Sequence, residues 1–151
     1  MQEILAIWNN YIVARQLLID KEIVRTFNNS VEDFSEFLIA KMLKGELAIN
    51  VNQEGYDIKT KDKYIQVKSV AKAPKNRNGY IVTSKDRANR LATHYAFVFF
   101  DNYIPTDIYI VSAAFVKNYS MSQIKRRDLK LVCGHTDPGI PEITVRYQSL
   151  D

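Results

Sequence analysis

Three polar residues near the middle of the chain fall on two short runs of strand-forming residues. Asp57 lies in the first run, and Gln66 and Lys68 lie in the second. Because alternate side chains of a strand point to opposite faces, Gln66 and Lys68 share one face while Ile65 and Val67 point to the other. A carboxylate, an amide oxygen and an amine on one face suit a hard divalent cation and a phosphate. The spacing therefore predicts a metal-and-phosphate site.

The turn between the two runs determines which residues oppose one another. A two-residue hairpin loop at 62–63 places Lys68 opposite Asp57. Gln66 then lies opposite Lys59. Opposed residues on paired strands share a face, so we expect the acid, the amide and the lysine to converge on one side of a small sheet.

A further carboxylate, Glu36, lies on the apolar face of a predicted helix at 30–44. Ile39, Ala40 and Leu43 follow it at helical spacing and share its face. A carboxylate within an apolar stripe is unfavourable unless a partner compensates its charge. Two interpretations stay open. Glu36 forms a buried salt bridge or a cap to nearby backbone, or it faces the strand pair and helps to hold a cation.

The remaining elements surround these residues in an order that indicates an α/β or α+β domain, with helices flanking a small mixed sheet. With 151 residues we expect a single domain, 1–151, in which an N-terminal helix at about 3–25 precedes a core at about 30–151. Beyond the helix at 30–44, we expect strands at 56–61, 64–71 and 80–83, a basic helix at 85–93, strands at 95–100 and 107–111, helical segments at 113–118 and 122–127, and a last strand at 143–147.

Positive charge is concentrated around the candidate site. The net charge of the chain is only +4, yet ten Lys or Arg lie between residues 59 and 90 against two Asp. Such a concentration is typical of a surface that holds a polyanion, although a solvated lysine-rich surface would show the same pattern. The residues that we expect to contact nucleic-acid phosphates are Lys72, Lys75, Arg77, Lys85, Arg87 and Arg90.

Several classes of protein are disfavoured by the same sequence. No apolar run approaches the length of a membrane span, and the N-terminus lacks the features of a secretory signal. Cys133 is the only cysteine, which fits a reducing compartment and a cytoplasmic location. Neither of the two histidines has a partner at zinc-ligand spacing, and no glycine-rich phosphate loop occurs.

The constellation resembles the PD-(D/E)XK nuclease superfamily, which has the restriction-endonuclease-like fold. Its pattern is an acid on the first core helix, an Asp at the end of one strand and a (D/E)-x-K pair on the next. Glu36, Asp57 and the run Gln66-Val67-Lys68 match these positions. The wider phrase over residues 24–70 is similar to small bacterial and phage-associated members of that superfamily.

The resemblance implies a Mg²⁺-dependent endonuclease that hydrolyses DNA phosphodiester bonds, with Mn²⁺ as a substitute ion. It implies that Asp57, the Gln66 side-chain carbonyl and the Val67 backbone carbonyl bind the metal, that Glu36 acts on it through water, and that Lys68 assists the attack on the phosphate. Duplex DNA is the expected partner, and a homodimer fits a substrate with two strands to cut. Because Gln66 replaces the family's acid, an inactive nuclease-fold protein that binds nucleic acid is the alternative.

Overall fold

A computed structural model describes residues 2–26, 30–49, 55–72, 80–82, 91–119, 123–137 and 144–148. The helices are α1 (Gln2–Asp20), α2 (Ser30–Leu43), α3 (Ala113–Asn118) and α4 (Arg126–Val132). The strands are β1 (Glu46–Leu47), β2 (Ile58–Lys59), β3 (Tyr64–Lys72), β4 (Tyr80–Val82), β5 (His94–Asp101), β6 (Ile104–Ser112), β7 (Gln123–Lys125), β8 (His135–Asp137) and β9 (Thr144–Tyr147).

Seven of these strands form one mixed sheet in the order β1-β2-β3-β5-β6-β9-β8, while β4 pairs with β7 in a separate sheet. Strands β1, β2 and β3 are antiparallel neighbours, and β5 then lies parallel to β3. Strand β6 returns antiparallel to β5, and β9 runs parallel to β6. The expected α/β class, with helices and a mixed sheet, is confirmed.

The large sheet separates two apolar cores, because its central strands are covered on both sides. One core lies between the sheet and α2, and it includes Ile39, Ile65 and Val98, all with no exposed surface. The other lies under α3, α4 and β7, and it includes Phe97 and Tyr109. The continuous apolar run of β5 follows from this arrangement, since its alternate residues enter opposite cores. The chain is therefore a three-layer α/β arrangement around one sheet.

A charged cluster ties β6 to α4 and β9. The Asp107 carboxylate is buried and accepts hydrogen bonds from the Arg126 and Arg146 guanidinium groups, the latter at 3.1 Å. Arg146 Nη1 also donates to the Tyr109 hydroxyl at 3.0 Å, and Arg126 Nη2 donates to Thr106 Oγ1 at 2.9 Å. These charge-assisted contacts fix where the last helix and the last strand lie on the sheet.

Two turns, one directly after α2 and one between β5 and β6, depend on particular residues. Helix α2 ends with Lys44 in the left-handed conformation (φ 52°), and the Gly45 N–H then bonds to the Ala40 carbonyl at 2.9 Å. A Cβ on Gly45 would lie 2.7 Å from Ile58 Cγ2, so glycine is required for close packing against β2. Between β5 and β6, Asn102 and Tyr103 both have positive φ, at 52° and 63°, as in a tight two-residue hairpin turn.

Several element boundaries differ from the sequence predictions. The first helix ends at Asp20 rather than near residue 25, because Glu22 turns the chain with a left-handed φ of 56°. The predicted helix at 122–127 is wrong: its first part is β7, which pairs with β4, and α4 begins only at Arg126. The short strands β1 and β8 were not predicted. The predicted basic helix at 85–93 lies mostly outside the described residues.

None of the described helices combines the length and the apolar character that crossing a bilayer requires.

Candidate metal and phosphate site

The β2–β3 hairpin brings Asp57 and Gln66 together, in a register that differs from the predicted one. Lys59 lies opposite Tyr64, two residues before its predicted partner Gln66. Ile58 lies opposite Ile65, and Asp57, the residue before β2, also bonds to Ile65 through its N–H. The predicted pairing of Gln66 with Lys59 is therefore wrong by two residues, and the register that placed Lys68 opposite Asp57 is wrong as well.

The turn that closes the hairpin explains this difference. The Thr60 N–H donates to the Lys63 carbonyl at 2.8 Å, so the two central residues are Lys61 and Asp62. The Thr60 hydroxyl accepts from the Lys63 N–H at 3.0 Å and donates to Asp62 Oδ1 at 3.2 Å, which stabilises the turn at this position. Moving the turn by one residue moves the pairing by two, so the side chains of the paired residues Ile58, Lys59, Tyr64 and Ile65 keep their predicted faces.

Asp57 connects the hairpin strands through both its main chain and its side chain. Its N–H donates to the Ile65 carbonyl at 2.9 Å. Its Oδ2 accepts from the Val67 N–H at 2.7 Å and from Gln66 Nε2 at 2.5 Å. The carboxylate thus occupies the place of a backbone acceptor where β2 separates from β3. Oδ1 accepts no hydrogen bond from the residues that the structure describes.

Gln66 and Lys68 lie on the same face of β3, as predicted. In the parallel pairing with β5, Gln66 lies beside Tyr95 and Lys68 lies beside Phe97. Gln66 is buried, and Lys68 is partly exposed. The amide is therefore fixed against Asp57, whereas the lysine lies where a ligand from solvent can reach it.

Glu36 is held by an arginine that the sequence did not mark as a site residue. Arg25 Nη2 donates to Glu36 Oε2 at 2.5 Å, and both side chains are 19% exposed. Arg25 Nη1 donates to the Ala48 carbonyl at 2.8 Å. Glu36 therefore forms a partly buried salt bridge, and its part in holding a cation stays a prediction. Glu36 Oε1 accepts no hydrogen bond within the described part of the chain.

Arg25 is itself positioned by Asp33, on the first turn of α2. Asp33 Oδ2 accepts from the Arg25 N–H at 2.8 Å, the Thr26 N–H at 2.5 Å and the Thr26 hydroxyl at 2.9 Å. A buried carboxylate with three donors fixes the segment between α1 and α2. Arg25 could not be identified from periodicity or a motif, because it is a single arginine in a short connecting segment.

The electrostatic surroundings of Glu36 favour its neutral form. Burial and, second, the nearby Asp57 charge raise the pKa of the Glu36 carboxyl from 4.5 to about 7. The hydrogen bond and the positive charge of Arg25 lower this pKa, but they do not outweigh the other two effects. Glu36 and Asp57 therefore lie close enough for their charges to interact, as the predicted site requires.

Asp57 is subject to a similar balance. Burial raises the pKa of its carboxyl, and the charge of Glu32 raises it as well. The Val67 N–H and the positive charges of Lys68 and Arg25 lower it. The positive charge of Lys68 therefore acts on Asp57 although the two residues are not directly opposed. The structure thus brings Gln66 into contact with Asp57 and links Asp57 electrostatically to Lys68 and to Glu36. Glu36 is carried by α2, which packs on the side of the sheet opposite to the Gln66 and Lys68 face.

The predicted nucleic-acid contacts are described only in part. Lys72 is the last residue of β3, where its backbone pairs with Asp101 of β5. The other five residues lie outside the described part of the chain: Lys75, Arg77, Lys85, Arg87 and Arg90.

The acidic residues alone do not form a metal site. Within the described residues, no three His, Cys, Asp or Glu side chains are arranged so that they could hold a metal ion. The expected ligand set of Asp57, the Gln66 amide and the Val67 carbonyl contains one carboxylate, with Glu36 as a second acid nearby. It therefore depends on neutral oxygen ligands.

Comparison with known proteins does not assign a family. No protein-family model matches the chain, and no curated protein is similar to its sequence at a significant level. The function therefore has to be inferred from the residues of this chain and their arrangement.

Proposed function

We propose that this protein is a metal-dependent endonuclease that hydrolyses DNA phosphodiester bonds, with its active site at Glu36, Asp57, Gln66 and Lys68. One observation carries the proposal. The Asp57 carboxylate is fixed against Gln66 at the point where β2 leaves β3, and it interacts electrostatically with a second acid and with a lysine. An acid whose charge raises the pKa of a second acid, beside a partly exposed lysine, favours a bound cation and a phosphate.

The donor groups fit a magnesium ion. Mg²⁺ prefers oxygen ligands, binds through one or two carboxylates and retains several waters. Asp57 and Glu36 each use one carboxylate oxygen in hydrogen bonds, and the second oxygen of each has no donor among the described residues. The Gln66 side-chain oxygen and the Val67 carbonyl complete the set that the resemblance implies. Asp57, Gln66 and Val67 would hold the ion, and Glu36 would act through water.

The residues of the chain have separable roles in hydrolysis. A bound Mg²⁺ supplies charge neutralisation at the phosphate and lowers the pKa of a nearby water. Lys68 contributes a compact positive charge that stabilises negative charge as it develops on the phosphate oxygens. Arg25 orients Glu36 through their 2.5 Å contact. The Val67 N–H orients Asp57 in the same way.

The order of the elements also supports the proposal. Helix α2 carries the first acid, Asp57 directly precedes β2, β3 carries Gln66 and Lys68, and β5 then lies parallel to β3. The resemblance implies this succession of a helix, a hairpin and a further core strand. A DNA substrate is supported by the excess of lysine and arginine between residues 59 and 90. We further propose a cytoplasmic location, in keeping with the single cysteine.

One observation favours a second candidate function, a nucleic-acid-binding protein without catalysis. The Gln66 amide is neutral, and its NH₂ group donates to Asp57 at 2.5 Å. A neutral ligand at this position binds a hard cation more weakly than a carboxylate would. The second candidate retains DNA binding through the basic residues and lacks cleavage.

Cleavage of supercoiled plasmid by the purified protein distinguishes the two candidates. We expect nicked or linear product with Mg²⁺ or Mn²⁺ and none with EDTA. Asp57→Ala and Lys68→Ala should each reduce the rate by about 100-fold or more, since each removes a group that acts on the reacting phosphate. Lys59→Ala is the matched control, because Lys59 is an exposed lysine on the neighbouring strand.

The outcomes assign the function directly. Cleavage that requires the cation, disappears in both site variants and persists in Lys59→Ala supports the nuclease. Salt-sensitive plasmid binding without cleavage, with either metal, supports the second candidate. Cleavage that is unchanged in Asp57→Ala would come from a contaminating nuclease or another site, and it contradicts the proposal.

A further inference from the structure

Helix α1 exposes an unusual amount of apolar surface. None of its 19 residues is buried, although many of them are large and apolar. Its residues 2–14, about 20 Å of helix, are all exposed. Near its C-terminal end Leu18 and Ile19 are partly buried, and Arg15 Nη2 donates to the Thr26 carbonyl at 3.3 Å. The helix is thus attached at its C-terminal end and presents its first three turns to solvent.

Six of the eight large apolar residues exposed on α1 lie on one side of the helix, and Val13 and Leu17 lie on the other. At about 100° per residue the six cover about 160° of the helix circumference. Each is between 47% and 64% exposed. We call this surface the α1 apolar face, and it consists of Ile4, Leu5, Ile7, Trp8, Tyr11 and Ile12.

The area of the α1 apolar face is close to that which one partner buries in a protein–protein interface, and it exceeds the largest apolar patch of a typical monomer. From the exposed fractions, the six residues present roughly 700 Å². The largest apolar patch on a typical monomer is about 300–600 Å². A stable protein–protein interface buries about 800 Å² on each partner. Two such faces, together with the polar residues that border them, supply the area that a dimer requires.

The charges of α1 favour a second copy over a membrane surface as its occupant. Helices that lie on membranes carry several Lys or Arg on their polar face. The charged residues of α1 are only Glu3, Arg15 and Asp20. Its polar face consists mainly of neutral residues such as Asn9 and Gln16, so two copies can approach without charge repulsion.

We infer that α1 is a dimerisation helix and that the α1 apolar face of one chain packs against the same face of a second copy. The contact is isologous, because the same surface serves both partners. Two paired helices bury their apolar faces against each other, as in a two-stranded coiled coil. The inference depends on α1 alone and does not require the proposed nuclease activity.

Sedimentation of the full chain at several concentrations tests the interface. We expect a dimer that dissociates on dilution. Ile4→Glu should weaken association by at least about tenfold, because it places a charge within the buried contact. Val13→Glu is the matched control. It lies nine residues from Ile4, on the opposite side of the helix, and is almost equally exposed (60% against 63%).

The fluorescence of Trp8 gives an independent readout, because it is the only tryptophan of the chain. Its emission should move to shorter wavelength as the dimer forms, and Ile4→Glu should prevent this shift. A chain that stays monomeric at about 100 µM with unshifted emission would overturn the inference. Equal effects of Ile4→Glu and Val13→Glu would overturn it as well, and so would a shift produced only by neutral or anionic lipid vesicles.

Discussion

Replacing Glu36 by Gln tests the electrostatic description of the site without any metal or substrate. Gln has nearly the same shape as Glu and is neutral at every pH, so it resembles the protonated acid. It keeps an oxygen that can accept a hydrogen bond from Arg25. In the wild-type protein, by contrast, Glu36 must ionise in a partly buried position beside Asp57 as the pH rises.

The expected effect has a definite sign and size. Burial and the Asp57 charge raise the pKa of Glu36 from 4.5 to about 7 in the folded protein. An acid with a raised folded-state pKa binds its proton more tightly when folded. Its stabilising contribution is therefore fully present below pH 4.5 and is lost as the pH rises through 7. The free energy of unfolding of the wild type, relative to Glu36→Gln, should fall by about 2.5 kcal/mol between pH 5 and pH 8.

Urea unfolding followed by far-UV circular dichroism, at pH 5, 6, 7 and 8 with EDTA, measures this difference. Asp62→Asn is a suitable control. The Lys63 side chain holds the pKa of exposed Asp62 below its usual value, so its difference from the wild type should be constant over this range. A constant difference for Glu36→Gln, or a wild type that gains relative stability as the pH rises, would refute the reasoning.

Three further substitutions test the fold by their effect on the free energy of unfolding. Gly45→Ala should destabilise the protein by about 1–3 kcal/mol, because its Cβ would lie 2.7 Å from Ile58 Cγ2; an unchanged urea midpoint would contradict this packing. Tyr103→Gly should stabilise the protein by about 1 kcal/mol, since glycine adopts the positive φ of the β5–β6 turn without strain; a lower thermal unfolding temperature than that of the wild type would contradict this turn conformation. Asp107→Ala should destabilise by about 3–5 kcal/mol, because it leaves two arginines without their buried partner, and a loss below 1 kcal/mol would argue against the cluster.

The sequence predicted those elements whose patterns are local. Strand β5 was identified because an apolar run of this length fits a strand with two covered faces, and α2 was identified from its apolar stripe. The β7 segment was predicted to be helical because its own sequence does not reveal that it pairs with β4. Tertiary pairing therefore decided the structure of 123–125 against its local preference.

The candidate site was predicted in its residue types and its faces but not in its contacts. Strand alternation placed Gln66 and Lys68 on one face, and the observed pairing keeps them there. The register was missed because the Thr60 hydroxyl stabilises a turn one residue earlier than predicted. The Arg25 contact with Glu36 could not be predicted, since eleven residues separate them and only the fold brings them together.

Whether Asp57 and its neighbours bind a divalent cation is measured most directly by titrating the protein with Mn²⁺ and following the electron paramagnetic resonance signal of the free ion. We expect the wild type to take up about one Mn²⁺ per chain at pH 8, with weaker uptake at pH 6, where the raised pKa of Glu36 keeps that carboxyl protonated. Asp57→Ala should remove this uptake, while Lys59→Ala should leave it unchanged. The absence of uptake at millimolar Mn²⁺, or uptake that Asp57→Ala does not alter, would contradict a metal-dependent site on this hairpin.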